Sequence, residues 1–188
     1  AVVSHYRAVA DAVDIPIVIQ AYPPASGFAM EASLLLRIAH EVPSAACIKL
    51  EDAPTPSKVT RIRAEAGAHR VKIMGGLGGV YLLEELIAGA DGAMTGFAYP
   101  ELRVAIVKAF RTGDHRRAAE LFYRFVPLMR FEFQEGIGMA IRKEVLRRRG
   151  LIAHARVRPP APQADPVTQR TLDTLLAYYP GKEDAPWI

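Results

Sequence analysis

Lys49 is the residue with the clearest chemical promise in the 188-residue sequence. It closes the apolar, strand-like run Ala45-Ala46-Cys47-Ile48-Lys49, so its stem should be packed while its amine points into the space beyond the strand. Partial desolvation of a lysine enlarges the neutral fraction of its amine, the form that attacks a carbonyl and makes a Schiff base. The same spacing also fits a lysine that emerges from a strand and pairs with Glu51 or Asp52. Other chemistry-bearing types occupy comparable places: Gln20 after Ile15-Pro16-Ile17-Val18-Ile19, Tyr22 two positions on, Gly75-Gly76 after Val71-Lys72-Ile73-Met74, and Thr95-Gly96 after Gly92-Ala93-Met94. In parallel α/β folds, working residues collect at the carboxyl ends of strands and in the loops that follow.

The elements that would position these residues alternate. Helical spacing covers residues 2–13, followed by a β-branched run at 15–19 and a Pro/Gly loop at 23–27. A helix over 31–41, a strand at 45–49 and a helix over 57–66 come next, then a strand at 71–74 and a helix over 80–88. A weaker strand at 92–95 leads to a helix over 100–111. Short apolar strands without polar alternation, separated by helices, imply a parallel sheet covered by its crossovers. Residues 115–130, 137–149 and 167–179 read as helices, the last reached through Pro159, Pro160, Pro162 and Pro166. The pattern accommodates an open doubly wound sheet or part of a (β/α)8 barrel, whose full form takes about 250 residues.

Composition narrows the function classes. With 51% hydrophobic and 23% charged residues the chain resembles an ordinary globular protein, and no apolar run approaches a membrane span. Cys47 is the single cysteine, which excludes an internal disulfide and a cysteine-based zinc site and makes the cytoplasm the default compartment. The net charge of +4 is concentrated at Arg142-Lys143 and Arg147-Arg148-Arg149. Glu144 interrupts this cluster and no aromatic residues interleave, so a solvated helix face is expected rather than a nucleic-acid surface. His5, His40, His69, His115 and His154 are scattered without metal-ligand spacing and read as surface or capping residues. Lys72, inside its strand, reads as structural, and Cys47 as a small interior side chain. The glycines of Gly75-Gly76-Leu77-Gly78-Gly79 could cradle a phosphate at a helix start, but they do not form G-x-G-x-x-G, and a tight turn accounts for them as well.

Ser4-His5-Tyr6-Arg7-Ala8-Val9-Ala10-Asp11, the strand at 15–19, Pro23-x-x-Ser26-Gly27, Ile48-Lys49, Met74-Gly75-Gly76 and Gly89-Ala90-Asp91-Gly92-Ala93-Met94 together resemble the dihydrodipicolinate synthase and N-acetylneuraminate lyase family. The resemblance covers nearly the whole chain. It implies a (β/α)8 barrel of the class I aldolase type, here strands five to eight over residues 1–112, with a helical extension over 113–188. It implies a Schiff-base lyase (aldolase, synthase or dehydratase) acting on pyruvate or a 2-keto-3-deoxy sugar acid. Lys49 is then the nucleophile, and Gln20, Tyr22, Gly75, Gly76 and Thr95 are substrate-binding residues. The mechanism requires no metal or diffusible cofactor, and the expected partners are a small 2-keto acid and further copies of the chain as a dimer or tetramer, with no nucleic acid or membrane.

Two departures qualify the resemblance. The family's proton-relaying tyrosine on the fifth strand aligns with Gln20, with Tyr22 as a substitute if the strand continues. The arginine that binds the second substrate of dihydrodipicolinate synthases aligns with Ala25, which favours acids derived from sugars. The carboxylate-binding loop after the second strand and a tyrosine after the fourth fall upstream of Ala1 in that alignment, so the chain reads as the C-terminal portion of a longer enzyme. The alternative is a non-catalytic half-barrel that only self-associates, because four strands leave two open edges.

Overall fold

The computed structural model describes residues 1–67 and 70–179, and His69 lies outside them. The chain falls into two compact units: Ala1–Leu77 with Tyr81–Thr95, and Gly78–Val80 with the residues from Gly96 onward.

In the first unit α1 (Val2–Ala12) leads to β1 (Ile17–Ala21), a single turn α2 (Pro23–Ser26), α3 (Ala32–Glu41), β2 (Ala45–Leu50), α4 (Thr55–Glu65), β3 (Lys72–Gly75), α5 (Leu82–Ile87) and the two-residue β4 (Gly92–Ala93). All pairings are parallel, and the spatial order β1-β2-β3-β4 is the chain order. A doubly wound sheet reverses its strand order at a switch point. A sheet that adds each strand on the same side is the arrangement of a (β/α)8 barrel wall, so the doubly wound alternative falls away.

The register sorts side chains into rows. Ile19, Ile48 and Ile73 pair across three strands and are all fully buried against the helices, each worth roughly 1.5–3 kcal/mol. Ala21, Leu50 and Gly75 form the next row on that face. Gln20, Lys49 and Met74 form the intervening row, which strand alternation turns to the opposite face. Val18, Cys47 and Lys72 form another row on that side.

Several boundaries differ from the sequence reading. β1 begins at Ile17 rather than Ile15, because Pro16 has no N–H for the ladder, and it continues through Gln20. The strand then stops at Ala21. Pro23 and Pro24 open the single turn α2, which replaces the expected loop, and Gly27 closes it in a left-handed conformation. β2 and β3 run one residue further than expected, to Leu50 and Gly75. Pro56 lies in the first turn of α4 rather than in the preceding loop.

Asp91, just ahead of β4, ties the lower end of the sheet. Its Oδ2 accepts the Ile73 N–H at 2.8 Å and the Arg63 guanidinium at 2.7 Å, while Lys72 reaches Oδ1 at 3.3 Å. Lys72 is therefore structural, as its place within the strand implied. Burial works against the Asp91 charge, yet these hydrogen bonds hold its carboxyl below the usual range.

The second unit contains α6 (Pro100–Arg111), α7 (His115–Glu132), α8 (Gly138–Arg148) and α9 (Pro166–Leu176), packed on Phe122, Phe125, Leu128, Met129 and Ile141. The basic cluster is not the solvated face expected from its charges. Arg147 and Arg148 both donate to Glu144, whose carboxyl these bonds hold at about 2. Arg149 bonds the Ala98 carbonyl and Glu101, and Arg142 bonds the buried Glu132 at 2.9 Å. Among the described residues no helix is long and apolar enough to cross a membrane.

Because Asp91 joins two groups of β3 and one of α4, Asp91→Ala should cost about 2–3 kcal/mol in urea unfolding, whereas Lys72→Ala, at an exposed partner, should cost less than about 0.5 kcal/mol. The Asp91 contribution should be complete above about pH 4 and disappear as pH falls through its lowered pKa.

Candidate active site

The row Gln20–Lys49–Met74 ends beneath the segment that follows β2, where Glu51 folds back over it. Glu51 continues the alternation of Lys49, so its side chain lies on the same face, and only 10% of that side chain is exposed. Its Oε2 accepts the Gln20 amide at 2.6 Å and lies 3.1 Å from the Lys49 Nζ. Its Oε1 accepts the Leu77 N–H at 3.3 Å. Leu77 holds a left-handed φ of 46°, a conformation that costs an ordinary side chain on the order of 1 kcal/mol and that collects at functional sites. One carboxylate thus joins the strand-end glutamine, the strand-end lysine and a strained backbone amide.

Gly76 makes room for this arrangement. A Cβ there would stand 2.1 Å from the Glu51 Cγ. Gly75 does the same on the helix side, where a Cβ would stand 1.7 Å from Oε2 of Glu85. Glu85, on α5, is fully buried; its Oε1 accepts the Thr55 hydroxyl at 2.6 Å, and its Oε2 has no hydrogen-bond partner among the described residues. Burial pushes the Glu85 pKa up to about 7, against the pull of the Thr55 bond and with added push from the Glu84 and Glu51 charges.

The structure therefore brings Gln20, Lys49 and Gly76 together around Glu51 and places Gly75 directly behind. Tyr22 does not extend β1 onto the Gln20 face; it caps α2, its carbonyl accepting the N–H groups of Ala25 and Ser26. Thr95 lies two residues beyond β4, past the strand end where it was expected. Cys47 is half-buried in the row below Lys49, and burial pushes its thiol up, away from the reactive thiolate. The four described histidines are exposed. Glu51 is one of the two pairing partners that the sequence offers Lys49, and its two-residue spacing from Lys49 is the signal that puts it on the same face. Asp52, the other partner considered for Lys49, pairs instead with Lys58.

The chain has clear counterparts among known proteins. The sequence model of the Dihydrodipicolinate synthetase family matches residues 1–178. The chain belongs to that family. It is 35% identical to the L-2-keto-3-deoxyarabonate dehydratase of Azospirillum brasilense over 167 residues, 89% of this chain and 53% of the relative. It is 31% identical to the 4-hydroxy-tetrahydrodipicolinate synthase of Methanothrix thermoacetophila over 173 residues, 91% of this chain and 57% of that one. The crystal structure of dihydrodipicolinate synthase from Rhodopseudomonas palustris superimposes with a TM-score of 0.88 at 32% identity, covering 94% of this chain and 60% of that one. The chain thus spans little more than half the length of these family members.

Two outcomes test this geometry without reference to any reaction. Gly76→Ala should displace Glu51, so the dimethyl-Lys49 NMR resonance should move as it does in Glu51→Gln, while Glu84→Gln leaves it in place. Because Glu85 holds its proton more tightly folded than unfolded, its own contribution to stability should be complete below about pH 4.5 and be lost as pH rises to about 7. In Glu85→Gln that slope should flatten in pH-dependent urea melts.

Proposed function

We propose that this chain carries the catalytic lysine of a Schiff-base lyase acting on a 2-keto acid, with a 2-keto-3-deoxy sugar acid as the preferred class and dehydration as the reaction. The observation that carries this reading is the Glu51 carboxylate held between Gln20 and Lys49. Glutamine cannot relay protons near neutral pH, so a site with Gln20 in the family's tyrosine position needs another proton carrier, and Glu51 stands 3.1 Å from the amine. The likeness to a keto-deoxy sugar acid dehydratase and the placement of Ala25 where synthases align an arginine both support a sugar-derived substrate.

In this reading Glu51 accepts the ammonium proton of Lys49, and the neutral amine attacks the C2 ketone. Glu51 returns that proton to the carbinolamine hydroxyl, which leaves as water and gives an iminium that acidifies the C3–H bond. Glu51 removes the C3 proton and the bonding electrons move onto nitrogen, forming an enamine. The enamine expels the C4 hydroxyl, which leaves as water with the proton from Glu51. Hydrolysis of the resulting conjugated iminium frees Lys49 and the dehydrated keto acid. Gln20 fixes the carboxylate through Oε2, Gly76 leaves the room that Glu51 occupies, and the backbone of Gly75 and Gly76 lines the substrate mouth. Tyr22 and Thr95 complete the substrate contacts from the loops after β1 and β4.

The same reading takes residues 1–112 as part of a (β/α)8 barrel and residues 113–188 as its helical extension, with the remaining strands and the substrate-carboxylate loop supplied by a further segment and the assembly a homo-oligomer. A second reading, a non-catalytic piece that self-associates, is favoured by the sheet face opposite the helices, where Val18 and Met94 are 39% and 38% exposed.

Borohydride reduction with pyruvate, and then with a 2-keto-3-deoxy sugar acid, should give a mass adduct that peptide mapping places on Lys49 and that Lys49→Ala abolishes. Glu51→Gln should still trap pyruvate while turnover of the sugar acid falls about 100-fold or more. A folded protein that includes the remaining barrel strands and gives no adduct would sink the lyase reading.

A further inference from the structure

Glu85 is the one charged-type side chain of α5 that is wholly buried, and the catalytic proposal does not use it. It sits at a core-facing position among Leu82, Leu83 and Leu86, on the far side of the Gly75-Gly76 backbone from Glu51. The two carboxyl groups press on adjacent glycines from opposite faces of the sheet, and the next residue, Leu77, is the strained one whose N–H reaches Glu51. The groups facing Glu85 are few. Thr55 on α4 supplies one hydroxyl, Gly75 on β3 supplies only its Cα, and the nearby charges are Glu51 after β2 and Glu84 on its own helix, both of the same sign as Glu85.

We propose that Glu85 is a positioning residue for Glu51, fixing the Gly75–Gly76–Leu77 backbone from behind and coupling its own charge to that of Glu51 across the two glycines. This rests on the lyase reading in taking Glu51 as the proton carrier. A residue with one neutral donor and an orphaned oxygen is held as the neutral acid by its surroundings, and its titration near neutrality accords with that. Glu85 then sets where the glycine backbone stands, and thereby where the Leu77 N–H meets Oε1 of Glu51. When Glu85 ionises, a second negative charge appears behind Glu51.

The test uses infrared titration of carboxyl C=O bands in the wild type, Glu85→Gln and Glu51→Gln. The wild type should show a protonated carboxyl band persisting toward neutral pH, and Glu85→Gln should lack it. In Glu51→Gln, with the like charge gone, the band should disappear at a lower pH, by about half a unit. This measurement leaves Glu85 in place, so a folding defect in the Glu85 variant does not obscure it. A band unmoved by Glu51→Gln would overturn the coupling, as would its survival in Glu85→Gln. For the positioning role, Glu85→Gln should shift the acid limb of the turnover profile while the Lys49 adduct still forms; a melting temperature that falls with an unmoved limb would reduce Glu85 to a structural role. A coupled band in a full-length protein that forms no Lys49 adduct would refute the lyase reading and leave the coupling standing.

Discussion

The backbone at Gly75 and Gly76 has a carboxyl group against each side, Glu85 toward the helices and Glu51 toward the opposite face. Neither position could carry a methyl group, because the nearest atoms of Glu85 and Glu51 stand 1.7 Å and 2.1 Å from where a Cβ would be. The sheet register makes this possible. Gly75 pairs with Leu50 and so belongs to the helix-facing row, while the following residue belongs with Lys49 and Glu51. Remove the glycines and both carboxyl groups must move; with them move the contacts of Glu51 to Gln20, Lys49 and Leu77. The strand-end geometry thus depends on a close approach that only glycine permits.

The two carboxyl groups experience opposite environments within a few residues of each other. Glu51 is met by a lysine, an amide and a backbone N–H, all donors, in a place that is still partly open to water. Glu85 is met by a single hydroxyl in an apolar layer. Desolvation without a cation favours the protonated acid at Glu85.

Much of this was legible in the amino-acid order, and the parts that were not have physical reasons. The β-branched runs announced buried parallel strands, and Lys49 at the end of one announced itself. The wound order of the sheet was not readable from alternation alone, since doubly wound sheets and barrels share that alternation; hydrogen-bond register decided it. Whether Tyr22 shares the Gln20 face depended on the strand continuing, and Pro23 and Pro24, read as a loop, instead start a helical turn there. Glu51 was visible but ambiguous, since an acidic residue after a strand is commonly solvated. Glu85 was passed over because Leu82-Leu83-Glu84-Glu85-Leu86 looks like an ordinary amphipathic turn. Its position three residues after Leu82 puts it on the buried face, and the glycine at the end of β3 is the cavity that receives it.

In the proposed mechanism a glutamine and a glutamate replace the family's tyrosine, which changes where the proton rests. A tyrosine hydroxyl is neutral at rest and must find its base elsewhere. A carboxylate paired with the lysine starts the cycle as a base beside a cation, so moving a proton from Nζ to Oε2 cancels two charges rather than creating any. That transfer becomes easier as substrate displaces water, because two separated charges lose more solvation than two neutral groups do. Gln20 and Leu77 each occupy one direction of approach to the carboxylate and leave others open for a proton from carbon. A carboxylate fixed at both oxygens can therefore take a proton from nitrogen, yield it, and take another from carbon without changing its place, which is the sequence a dehydration requires and a retro-aldol cleavage does not.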